Sequence, residues 1–232
     1  MTADGRAKHP DPAERAERAV GVGPWTGSTP EGEHWDQVLL AEGDARNVSD
    51  RYRYWRQEAI IADLDMTRNP FHVAVENWEH DFNIGSVVRT ANAFNAAAFH
   101  IVGKRRWNRR GAMVTDRYQH EHHHRTVADL VDWAAAAGPG GTGIPLIGID
   151  NLPGSRALET HDLPRACVLV FGQEGPGLSA EMRSHCEVIL HIEQFGSTRS
   201  INAGAAAAIG MHAWVRRHVF DQPATPDDRS AR

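Results

Sequence analysis

The chain has 232 residues, 41 % of them hydrophobic, and a formal charge of -5 at neutral pH. That is enough for one sizeable α/β core with an appendage, while the acidic balance excludes a protein that holds nucleic acid by bulk charge alone. No apolar run approaches the roughly 20 residues of a membrane span. The charged start, MTADGRAKHPDPAERAERAV, lacks an apolar signal segment, and only two cysteines, Cys167 and Cys186, occur. Both features point to a reducing cytoplasm without a disulfide framework.

Residues 1–65 read as a polar, partly helical extension with little core of its own. Pro, Gly and acidic residues interrupt short helical patterns such as DPAERAERAV, and RYRYWRQEAIIADL (51–64) is the better helix candidate. From Asn69 the pattern becomes alternating strands and helices. Strands are expected at 71–77, 98–103, 145–150, 166–172 and 188–192. Helices are expected from Asn83 to about Ala97, over about Val127–Ala137, shortly after Leu178, and from about Ser200 to His218. Strands followed by helices in this order mean a mostly parallel sheet with helices on both faces, spanning 66–220. The tail 221–232, DQPATPDDRSAR, is expected to be disordered.

Three motifs look stronger than they are. HEHHH (His120 to His124) fits H-E-x-x-H, so a zinc hydrolase on His120, Glu121 and His124 is one reading. Four of its five residues are His, however, so the match is cheap, and a polar loop or exposed helix start is the better expectation. GPGGTG (138–143) fits G-x-G-x-x-G but follows a helix and precedes a strand, the reverse of a dinucleotide turn. KRRWNRR (Lys104 to Arg110) is ordinarily a solvated charge run. Here it leaves the carboxyl end of a strand and encloses Trp107, which suits phosphate contact by Lys104, Arg105, Arg106, Arg109 and Arg110 with stacking by Trp107.

Three further segments fall at or beyond the carboxyl ends of expected strands, where open α/β sheets gather ligands. NIGSVVR (83–89) sets the permanently charged Arg89 in a largely apolar helix, where a partly buried guanidinium needs a carboxylate or a substrate anion. FGQEGPGLS (171–179) ends a strand in a glycine turn holding Glu174, a carboxylate that can pair with a cationic cofactor or with Arg89. IEQFGSTRSINAGAAAAIG (192–210) runs from a strand into a small-residue helix opened by Ser200 and Asn202, a ready anion site. Asp150 closes the 145–150 strand and is a further cofactor-contact candidate.

In order and spacing, N-x-G-x-x-x-R, F-G-x-E-G-x-G-L-S and I-x₇-S-I-N resemble the three motifs of the SpoU/TrmH branch of the SPOUT RNA methyltransferases. The resemblance covers roughly Phe71 to Val219. It implies an S-adenosylmethionine (AdoMet)-dependent transfer to a ribose 2′-hydroxyl of tRNA or rRNA, by a homodimer with a deep C-terminal trefoil knot. By position, Gly172, Ile192 and Ile201 match cofactor-holding residues and Arg89 the catalytic arginine. Asn83, Glu174, Ser200 and Asn202 match the polar set around it, and no metal is required. The sequence departs from the family pattern at Glu193, where Pro is usual, and at Ile201, where Leu is usual. A non-catalytic RNA-binding module on the same fold is the remaining alternative.

Overall fold

Five consecutive buried residues, Cys167–Phe171, mark a strand covered on both sides. In the computed structural model this strand lies at the centre of a seven-stranded sheet. The structure describes residues 21–76, 81–103, 107, 109–112, 115–173, 175–222 and 224. DPAERAERAV, Lys104, Arg105, Arg106, Glu174 and nearly all of the tail therefore lie outside the described residues, as does the side chain of Arg110. The chain divides into two units, 1–63 and 64–232.

The second unit contains strands β1 (Phe71–Glu76), β2 (Phe99–Val102), β3 (Glu121–His124), β4 (Leu146–Ile149), β5 (Arg156–Ala157), β6 (Cys167–Phe171) and β7 (Val188–His191). Their spatial order is β3-β2-β1-β6-β4-β7-β5, and every ladder among them is parallel. The alternation of side chains along each strand sorts the core into two layers. Phe71, Val73, Val75, Leu169 and Phe171 meet helices α3 (Asp81–Ala93) and α6 (Ala203–His218). Ala74, Val168 and Val170 meet α4 (Val127–Ala136) and α5 (Ala180–His185) on the other side. The expected doubly covered parallel sheet is thus present.

Local chemistry sets the helix ends. Thr126 and Asp129 form a reciprocal capping box that starts α4. Helix α3 begins at Asp81 and stops at Ala93, not at Ala97, because Asn95 turns left-handed at φ 47° and the Ala96 N–H reaches back to the Ala91 carbonyl at 2.9 Å. Helix α6 begins at Ala203, so Ser200 precedes it. Its small residues serve close packing: a Cβ at Gly210 would sit 3.1 Å from Phe171 Cζ.

Strand β3 corrects the expectation for HEHHH, which is neither loop nor helix start. His122 and His124 pair in register with His100 and Val102 of β2. The sheet there carries a row of imidazoles. Nδ1 of His72 lies 3.1 Å from Nε2 of His100, whose Nδ1 lies 2.9 Å from Nε2 of His124. Trp133 of α4 covers His100 at 4.2 Å between ring centroids. Burial and then the neighbouring imidazoles push His100 down to about 2 and His72 to about 4.

The first unit, expected to have little core, has an aromatic one. Around its helices α1 (Gln37–Glu42) and α2 (Gln57–Asp65), Trp25 meets Tyr54 edge-on at 5.6 Å and Tyr52 meets Trp55 at 5.4 Å. RYRYWRQ is a 3-10 turn (Asp50–Tyr52) followed by Tyr54 at φ 61°, so only the second half of the candidate helix is helical. Asp44, fully buried, organises this region. It accepts from the Arg46 guanidinium at 2.7 and 2.8 Å and from the backbone N–H groups of Arg46 and Tyr54. Burial raises its pKa, but the Arg46 side chain and the two backbone donors outweigh that and hold it at about 2. Among the described residues, no helix is long and apolar enough to cross a membrane.

Two outcomes follow. Asp44→Ala leaves buried donors unmet and should cost about 3–5 kcal/mol, read as loss of the tryptophan near-UV dichroism of the first unit. The imidazole row predicts acid sensitivity. Its folded-state affinities lie below the unfolded value, so the unfolded chain takes up protons first as pH falls below about 6.5. Stability should be full above that pH and fall by roughly 2 kcal/mol per buried ring by pH 5, a slope in urea midpoints that His100→Leu should reduce.

A candidate active site at the carboxyl ends of the sheet

Strand β6 delivers the chain to Gly172, where backbone passes against backbone. A Cβ at that position would lie 2.2 Å from the Gly177 carbonyl carbon and from the Leu178 nitrogen, so only glycine fits. Gln173 and Gly177 exchange two backbone hydrogen bonds of 3.0 Å, closing a turn in which Gly175 and Gly177 have φ of 95° and 71°. Asp150, just past β4, locks the turn. Its Oδ2 accepts the Leu178 N–H at 2.8 Å, and a Cβ at Gly177 would come within 2.3 Å of the same oxygen. A second carboxylate, Glu76 at the end of β1, accepts the Ser179 N–H at 2.8 Å. Sequence reasoning passed over Glu76, although an acid closing the apolar run FHVAVE was a visible signal.

Strand β7 leads to Ile192 and then to a loop ending at Asn202. The Asn202 Oδ1 caps α6 by accepting the Ala205 N–H at 3.2 Å, and its Nδ2 donates to Asn83 Oδ1 at 3.0 Å. This bond joins the start of α6 to α3. Gly204 allows the approach, since a Cβ there would meet Ser86 Cβ at 3.4 Å and Asn83 Oδ1 at 3.5 Å. The pairing of two motifs 119 residues apart through one amide contact could not be read from spacing.

Between these loops is a cavity of about 440 Å³. Asp150, Gly172, Ile192, Ser200, Ile201 and Asn202, all singled out from the sequence, line it together with Phe171, Gln173 and Gln194. Apolar walls with a few convergent polar groups and exposed turn backbone suit a small organic ligand. Asn83 and Arg89 do not line the cavity. Asn83 is buried behind it, bonded to Asn202. Arg89 lies on α3 one turn beyond Ser86 and is exposed, which corrects the expectation of partial burial. Among the described residues no carboxylate pairs with it.

The other sequence candidates fare differently. Trp107 is buried in the core, with its indole N–H on Glu121 Oε2 at 3.3 Å, so it presents no face for stacking. Arg109 is exposed but sits on Glu121 at 3.1 Å and Asp116 at 3.5 Å. The zinc reading fails on geometry. His120 and His124 are four residues apart along an extended segment, roughly 13 Å, rather than on one helical face. His120 pairs with Asp65 at 2.8 Å, and His124 is buried against His100.

The model of the SpoU rRNA methylase family matches residues 70–212. The chain belongs to that family. A relative named as an uncharacterized tRNA/rRNA methyltransferase, from Synechocystis, is 30 % identical over 175 residues, 74 % of this chain and 45 % of the relative. A 23S rRNA (uridine(2479)-2′-O)-methyltransferase of Streptomyces viridochromogenes is 27 % identical over 157 residues, covering 62 % of this chain and 51 % of that one. The chain spans about half the length of these curated relatives. Among solved structures, the SpoU methyltransferase AviRb from Streptomyces viridochromogenes, in complex with AdoMet, aligns with a TM-score of 0.60 at 26 % identity, over 68 % of this chain and 61 % of that one.

The Asn202 contact is open to test. Asn202→Ala removes the cap of a SpoU-family helix and the partner of a buried amide, and should lower stability by about 1–2 kcal/mol in urea unfolding. Gly172→Ala should lower it further, because the atoms that a methyl group would meet are backbone and have no rotamer to escape into.

Proposed function

We propose that the chain is an AdoMet-dependent RNA methyltransferase that modifies a ribose 2′-hydroxyl and works as a homodimer in the cytoplasm. One observation carries the reading: three segments far apart in sequence meet around one cavity, and the Asn83–Asn202 bond ties the helix bearing Arg89 to it. The names of the relatives support RNA as substrate, and the AdoMet complex of AviRb supports the cofactor. The trefoil knot belongs to this reading. In its favour, β6 lies between β1 and β4, and β7 pairs with β4, so the last third of the chain is woven into the sheet. Dimerisation is supported by Ile209, Val219 and Phe220, exposed on and just beyond α6.

The lining suits AdoMet. Phe171, Ile149, Ile192 and Ile201 offer apolar surface to a purine, and Gly175, where an added Cβ would meet nothing within 4 Å, leaves open space on the turn. Asp150 contributes a carboxylate to the cavity, favouring a cationic group. Glu174, matched to the family's polar set, lies outside the described residues, and its role rests on that match.

AdoMet, when bound there, supplies a methyl group made electrophilic by its sulfonium. The protein's task is to align the ribose oxygen and ease the loss of its proton. The Arg89 guanidinium is a permanent cation with five donors and no acceptor, and so serves as a fixed charge rather than a base. With no internal partner among the described residues, it is available to an RNA phosphate or to the oxygen as negative charge develops on it. Ser200 sets a hydroxyl at the cavity rim for the nucleotide, while Asn202 and Asn83 hold the two helix starts in register. Arg109, Arg110, Lys104, Arg105 and Arg106 contribute flanking phosphate contacts, with Arg109 exchanging Asp116 and Glu121 for RNA.

Calorimetry of the purified protein should show one AdoMet site per chain, and absence of binding would overturn the reading. Arg89→Ala should keep that affinity yet lower methyl transfer to RNA at least about 100-fold, with Arg89→Lys between the two.

A further inference from the structure

The loop from Glu193 to Arg199 contains a side chain that the fold leaves unused. Phe195 is 86 % exposed, more than any other large apolar residue among those described. Its loop neighbours Gly196, Ser197 and Thr198 are small, and a Cβ added at Gly196 would meet nothing within 4 Å, so the loop stands clear of the protein. The flanking residues Gln194 and Ser200 both line the cavity, whereas 195–199 are all exposed. The far end is pinned, because Asn151, itself a cavity residue, donates from Nδ2 to the Arg199 carbonyl at 3.1 Å. The Arg199 side chain is exposed, and among the described residues no carboxylate pairs with it.

We infer that this loop reads the RNA, with Phe195 stacking on a nucleobase beside the modified ribose and Arg199 taking a phosphate of the same strand. The inference rests on the function proposed above. A flat apolar face and an exposed cation four residues apart, at the mouth of a cavity, match the two recurring parts of a nucleotide chain. Bases accept stacking whatever their identity, so Phe195 sets how tightly the RNA is held, and which unstacked segments it can hold, rather than a single base letter.

The test uses the full-length protein, radiolabelled AdoMet and total RNA from cells lacking the gene. Phe195→Ala should leave AdoMet affinity within about twofold and oligomeric state unchanged while raising the RNA KM about 10- to 100-fold, and Phe195→Trp should restore it. Arg199→Ala should raise KM and reduce the salt dependence of RNA binding by about one counterion. An unchanged KM in Phe195→Ala with an active parent overturns the inference and leaves the enzyme assignment standing. A shift in oligomeric state on sedimentation, with the KM per assembled dimer unaltered, also overturns it and makes Phe195 a contact between copies. If the parent neither binds AdoMet nor methylates, the assignment itself fails. Filter binding of the same RNA then decides the loop, with equal affinities for parent and Phe195→Ala refuting it.

Discussion

The approach of Gly172 to Gly177 and Leu178 constrains everything around the cavity. Two stretches of backbone share a space that a single methyl group would fill. Because the turn is held that tightly, its orientation is set by its anchors: Asp150 on the Leu178 N–H and Glu76 on the Ser179 N–H. Each anchor comes from the end of a different strand, so the geometry of the sheet is passed directly to the loop. The strands beneath the cavity thus set its shape, as pre-organised ligand binding requires.

A second constraint acts between helices. Gly204 lets α6 come close to α3, and the amide pair Asn83–Asn202 fixes the contact at one point. The arginine-bearing helix thereby gains a fixed relation to the cavity without lining it. A satisfied polar pair with one buried member contributes little net stability but penalises every arrangement that would leave the buried amide unpaired.

Much of this was legible in the sequence because its period and punctuation were strong. The apolar runs at β1, β2, β4 and β6, the glycine-rich segment 138–143 that follows α4, and the glycines of 172–177 each declared a local structure that tertiary packing then kept. Strands β3 and β5 escaped because histidines and a two-residue bridge carry no apolar alternation; they become strands by pairing with β2 and β7. Trp107 was misjudged because its basic neighbours suggested exposure, whereas an aromatic ring inside a charged run was the one group there with reason to be buried. Arg89 erred the opposite way. An apolar surrounding sequence suggested burial, yet Val87, Val88 and Ala91 turn inward and leave its side of the helix to solvent. The aromatic core of the first unit was obscured by its low overall hydrophobicity, since a cluster of rings beside the buried Asp44 needs few aliphatic residues.

The two outermost strands of the sheet, β3 and β5, are 4 and 2 residues long. Long bare margins invite neighbouring chains to add themselves strand by strand, the route to fibrillar aggregates. Here one margin is too brief to template such growth. The other presents polar imidazoles and a carboxylate where a templating edge would need an apolar row. Continuation of the β-structure from molecule to molecule is thereby discouraged.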